Sequence, residues 1–157
     1  MSFGFGVGDV EAISALAAKV FTAYENAPDT YGHIATEVVV LQRLIDKAAQ
    51  HFKTTTLGKE DLRDGQQILK SCESILVDLN SLVEEYQSLS STNRGFGFHR
   101  VKLRSKDIAT LRARLISNTT LLSGFVRGFA IQLSYFSKTM NTDCSTKDVN
   151  ILKYRHG

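Results

Sequence analysis

Residues 62–89 read LRDGQQILKSCESILVDLNSLVEEYQSL. Apolar side chains recur at Leu62, Ile68, Leu69, Cys72, Ile75, Leu76, Leu79, Leu82, Val83, Tyr86 and Leu89. Intervals of three and four put them on one side of a helix and leave the Lys, Asp, Glu and Asn residues on the other. A strand would need alternation, and none is sustained here. One long helix cannot bury its own stripe, so this stretch commits the chain to helix-on-helix packing. Gly65 costs about 1 kcal/mol against Ala inside a helix, so the first turn is expected to fray. Cys72 lies on the apolar stripe with no base spaced to activate it, which makes it a buried structural thiol rather than a nucleophile.

The same period extends in both directions. Val10, Ile13, Leu16, Ala17, Val20, Phe21 and Tyr24 form a first stripe, with Asp9 placed to cap the helix and Glu11 in its first turn. Ala27 precedes Pro28 and is biased away from helical angles, so that helix ends near Asn26. Pro28 opens a second helix, where a missing N–H is harmless. Its stripe is Tyr31, Ile34, Val38, Leu41, Leu44, Ile45, Ala48 and Phe52, and it stops near Lys53. Val38, Val39 and Val40 are β-branched, but the helical period on both sides makes them helix. Ser, Asn and Gly punctuate a loop over 90–106, with Phe98–Arg104 briefly extended. Ser105 or Asp107 caps a fourth helix with the stripe Ile108, Leu111, Leu115, Leu122, Phe125, Val126, Phe129, Leu133 and Phe136. The fold expected is all-α, an up-and-down bundle of four main helices over residues 1–136. Residues 1–9 form a flexible Gly/Phe arm, and 137–157 a loosely ordered polar tail with a short docking point at Val149, Ile151 and Leu152.

The chain has 157 residues and one proline, 43% of it apolar and 22% charged, ordinary values for one globular domain. Two cysteines make no disulfide framework and no zinc spacing. Both are read as free thiols in a reducing cytosol. A net charge of +3 conceals a strong asymmetry. Residues 1–93 hold seven Lys/Arg against 13 Asp/Glu, and residues 94–157 hold 12 against three. A basic second part points to an anionic partner.

The sequence begins MSFGFGVGD, and a near copy, GFGF, returns at 95–98. No strand precedes Gly4 and no Lys-Ser/Thr follows Gly8, so neither run is a phosphate loop. Phe3, Phe5 and Val7 are instead read as an apolar tip, and Phe96 and Phe98 as its counterpart. Arg94, Arg100, Lys102, Arg104 and Lys106, followed by Arg112 and Arg114, share the segment with Asp107 alone. A solvated loop, an anionic lipid contact and a nucleic-acid stacking platform are the readings in order, since no reader motif accompanies the charge. The histidines are scattered without metal-ligand spacing, and no nucleophile–base set is visible, so no catalytic residue, metal or cofactor is assigned. LLSGFVRGFAIQLSYF at 121–136 contains a GxxxG, but Arg127 inside it favours a core helix over a membrane span. There the glycines are expected to let helices approach closely. Asn118-Thr119-Thr120 fits a glycosylation sequon, read as chance within a helix.

The opening MSFGFGVGDVEAISALAAKVFTAYENAPDTY, followed by HIATEVVVLQRLID, resembles the N-terminal domains of fungal NLR-like (STAND) signalling proteins, a class related to the HeLo-like cell-death domains. The resemblance covers about residues 1–135 and does not extend to the tail SKTMNTDCSTKDVNILKYRHG. It implies a helical bundle acting as effector or adaptor in heterokaryon incompatibility or immune-type responses. It further implies that activation exposes an N-terminal apolar segment that targets membranes. The function expected is a non-enzymatic module working by self-association and anionic-membrane engagement. Phe3, Phe5 and Val7 are its tip, and Arg100, Lys102 and Arg104 its electrostatic contact. It is expected in the cytoplasm, recruited to the plasma membrane on activation. A membrane-independent adaptor docking another signalling protein is the alternative, and nucleic-acid binding through 94–114 the second.

Overall fold

The computed structural model describes residues 6–25, 29–92 and 105–153. They form four helices: α1 (Val7–Glu25), α2 (Asp29–Thr54), α3 (Lys59–Thr92) and α4 (Ser105–Lys153). No strand occurs among the described residues, and Val38–Val40 lie inside α2.

Helix α1 starts earlier than Asp9, the cap expected from sequence. Gly6 occupies the cap position and accepts the Asp9 N–H at 3.0 Å. The Asp9 carboxylate turns back and accepts the Gly6 N–H at 2.7 Å. This is the returning half of a capping box, satisfied by a residue one turn inside the helix. Val7, Gly8 and Asp9 therefore belong to the first turn of α1, not to an arm. At the start of α3 the Leu62 N–H bonds the Gly58 carbonyl at 3.0 Å, with Glu60 and Asp61 in the first turn.

Ion pairs and ring contacts fix the directions. Glu11 near the start of α1 takes Lys53 near the end of α2 at 2.8 Å, and Tyr24 meets Tyr31 at the other end with ring centroids 6.4 Å apart. These helices are antiparallel. Arg114 of α4 pairs with Asp78 of α3 at 2.8 Å, while Asn118 meets Ser71, so α3 and α4 are also antiparallel. Glu37–Arg112 and Phe52–Phe125 show α2 and α4 running the same way. The order along the chain is up and down. In space α1 packs on α2 and α3, and α4 packs on the same two. Consecutive helices α2 and α3 thus face each other diagonally, and residues 55–58 cross that diagonal.

Each helix sends one stripe inward, as its spacing requires. Val10, Ile13, Ala17, Val20 and Tyr24 from α1 meet Ile34, Val38, Leu41, Ile45 and Ala48 from α2, all buried. Leu69, Cys72, Ile75, Leu76 and Leu79 from α3 and Leu115, Leu122, Val126 and Phe129 from α4 complete the core. Each fully buried Leu, Ile or Val contributes about 1.5–3 kcal/mol relative to exposure. The Tyr24 hydroxyl donates to the Leu79 carbonyl at 3.1 Å, and burial raises this phenol well above its usual range. Burial likewise pushes the Cys72 thiol up to about 12, so it is an inert core side chain.

Two expectations about α4 change. Leu133 continues the core spacing but is 44% exposed, because α2 ends at Thr54 and no described helix accompanies α4 far beyond the level of Phe129. Helix α4 also runs past residue 136, where the polar tail was expected to begin, and continues to Lys153. Residues 154–157 lie outside the described residues, as does the stretch Phe98–Arg104 expected to be extended.

Candidate functional site

Gly6 marks one end of the bundle. Val7 lies half-buried in the first turn of α1, beside exposed Gly8, Asp9 and Glu11. Among the described residues the core begins at Val10. Phe3 and Phe5, the other members of the expected tip, lie outside the described residues, as do Arg94, Phe96, Phe98, Arg100, Lys102 and Arg104. Lys106 falls in the first turn of α4. The flanks of the two Gly/Phe runs are described, and they sit at opposite ends. The start of α1 lies beside Lys53 and the α2 C-terminus. The end of α3 and the start of α4, which flank 93–104, lie at the far end. Helix α3 alone, 34 residues long, spans roughly 50 Å between those ends.

Arg112 and Arg114 are not free members of the basic cluster. Arg112 donates from Nε and Nη2 to the same oxygen of Glu37, at 2.8 and 2.6 Å. Those bonds raise the guanidinium pKa further. The second carboxylate oxygen of Glu37 is buried with no hydrogen-bond partner among the described residues. Arg114 reaches the other flank, donating to Asp78 at 2.8 Å and to Ser74 at 3.4 Å. Two residues apart on one helix, the arginines tie α4 to α2 and to α3. One turn on, Asn118 is the buried polar residue of the described core. It accepts from the Ser71 hydroxyl at 2.9 Å and donates to the Ser71 carbonyl at 3.2 Å. Its amide therefore serves the α3–α4 seam and is not presented for glycosylation.

The end of the bundle near α1's start is closed by aromatic rings. Phe125 packs edge-on against Phe129 with centroids 4.6 Å apart, and Phe52 and His51 of α2 lie at 6.2 Å from Phe125 and 5.7 Å from Phe129. Gly65 sits buried under Phe52 and Phe125, where an added Cβ would come within 2.9 Å of Phe52 Cζ. This glycine is the place where rings from two helices approach the α3 backbone, not a fraying first turn. The GxxxG of α4 behaves oppositely. Gly124 and Gly128 are exposed, with nothing within 4 Å of an added Cβ, so they mediate no close approach among the described residues.

Around these glycines α4 exposes Leu121 and Ile131, at 54% and 57%. Leu121 and Ile131 lie off the apolar stripe read from the sequence, where Gly65 reads as a fraying position and Asn118 as a chance sequon, so none of the four stands out there as functional. No group of three or more His, Cys, Asp or Glu placed to hold a metal occurs among the described residues. None of the described helices is long and apolar enough to cross a membrane. No family model matches this chain, and no curated protein or solved structure matches it either. What stands is a four-helix all-α protein.

Proposed function

We propose that this chain is a non-enzymatic signalling or cell-death module that self-associates and engages anionic membrane. The reading rests on the resemblance of MSFGFGVGD and the helices after it to the fungal NLR-like N-terminal domains. The observation that carries it is the Gly/Phe run leading straight into a capped helix whose first turn exposes Gly8 and Asp9 and leaves Val7 half-buried. Phe3, Phe5 and Val7 would supply the apolar contact. Arg94, Arg100, Lys102, Arg104 and Lys106 would supply the electrostatic one, each Lys or Arg contributing about 1 kcal/mol near an anionic surface. The protein would act from the cytoplasm, moving to the plasma membrane when activated.

Liposomes containing phosphatidylserine test this directly. Purified protein should bind or permeabilise them at low salt, and Phe3→Asp/Phe5→Asp should weaken the effect. Absence of binding by either form at low salt would overturn the membrane mechanism. The exposed Leu121, Ile131 and Leu133 of α4 support an adaptor docking another signalling protein as the second reading. A pull-down that survives high salt without lipid binding would favour it. Nucleic-acid binding rests on 94–106, since Arg112 and Arg114 are paired internally. Retention on DNA or RNA that does not fall with salt would argue against it.

A further inference from the structure

We propose that the first turns of α4, Ser105–Arg114, are an electrostatic latch: Glu37 and Asp78 hold Arg112 and Arg114 on the bundle, and an anionic surface that takes both arginines opens it. The hold of α4 on the bundle is uneven along its length. From Asp107 to Arg114 no described side chain is fully buried, and the apolar contribution is half-buried Ile108 and Leu111. Full burial starts at Leu115 and continues through Leu122, Val126 and Phe129. The segment before Leu115 is therefore tied to each neighbouring helix by one ion pair, beside the partial packing of Ile108 and Leu111 on the core.

Both pairs are suited to release. The arginine side chains are 43% and 44% exposed, so solvent, salt and competing anions reach them. The Glu37 pair is also incomplete. Arg112 crowds one oxygen, and the other is buried without a donor among the described residues. A carboxylate oxygen in that position gains hydration when α4 lifts, which offsets part of the lost ion pair. The competing ligand is defined by the same chemistry, since guanidinium groups bind phosphate and carboxylate planes through paired N–H donors. Arg112 and Arg114 follow the basic run that ends at Lys106 after five residues that include Asp107. Opening the latch would join them to it.

The identity of the opener rests on the anionic-surface reading above, but the latch itself does not. Two measurements on the full chain separate them. Glu37→Gln/Asp78→Asn weakens both ties with little change of shape. Asp64→Asn/Glu73→Gln removes the same charge from exposed α3 positions as a control. By hydrogen exchange, the latch variant should lose about tenfold protection over 108–114 while 122–129 keeps its own. Unchanged protection at 108–114, or an equal loss along all of α4, would overturn the latch. With vesicles of phosphatidylserine and phosphatidylcholine, the latch variant should bind several-fold tighter than the control. Equal binding by the two variants, or none by either, would overturn the anionic surface as opener and leave the exchange result to decide the latch.

Discussion

Gly65→Ala should destabilise the protein, although the same change in most helices stabilises. Alanine removes backbone freedom from the unfolded chain and favours helix by about 1 kcal/mol. At Gly65 the new methyl would meet Phe52 Cζ and Phe125 Cε1, each at 2.9 Å, with Phe125 Cζ closer still. Ordinary carbon contacts sit near 3.5–4.0 Å, so both rings must retreat. Overpacking of this kind costs about 1–3 kcal/mol. Half-buried Phe125 can yield outward, which favours the middle of that range, about 2 kcal/mol. Offset by helix propensity, the net loss is about 1 kcal/mol. Gly128→Ala is the internal control. It is also helical, but nothing lies within 4 Å of its added Cβ, so it should gain about 1 kcal/mol. Urea unfolding followed by circular dichroism should separate the variants by about 2 kcal/mol at unchanged m-value. If Gly65→Ala stabilises as much as Gly128→Ala, the ring approach is wrong. A double-mutant cycle with Phe125→Leu should also show coupling of at least about 0.5 kcal/mol.

Other outcomes follow from the same geometry. Leu122→Ala should cost about 2–5 kcal/mol in urea unfolding, whereas Leu133→Gln should stay within about 0.5 kcal/mol despite sharing the stripe. Asn118→Ala should cost about 1–2 kcal/mol through its two bonds to Ser71, and peptide mapping after secretion from a eukaryotic host should find no glycan at Asn118. Native protein should resist alkylation at Cys72 at pH 8 and react there on unfolding, as read by peptide mass spectrometry. Folding raises the pKa of both Cys72 and Tyr24, so their stabilising contribution is complete below the unfolded-state values of 9.0 and 10.0 and is lost as pH rises above them. The thermal midpoint should accordingly fall from about pH 9 upward.

The helices were legible because each carries a stripe at a single period, and burial then followed that period through Val10, Leu41, Leu76 and Leu122. What the pattern lacks is knowledge of neighbours. Leu133 has the right spacing and no helix to meet. Gly65 looked like a local weakness because its reason for being glycine belongs to Phe52 and Phe125, 13 residues upstream and 60 downstream in sequence. Gly124 and Gly128 looked like a packing motif and face outward. Arg112 and Arg114 read as part of a basic run, while their partners Glu37 and Asp78 come from other helices. Asp9 was correctly placed at a helix start, and its exact position depended on which backbone N–H its carboxylate reached. Of the expected contact residues, Val7 and Lys106 lie within described helices, and the others lie outside the described residues.

The bundle's length has a geometric consequence for the two Gly/Phe runs. Their flanks are separated by roughly the whole length of α3, so one flat bilayer lying against the α1 start faces away from the α3–α4 connection. A single bilayer meeting both flanks would therefore have to lie along the side of the bundle, parallel to α3, rather than against one end.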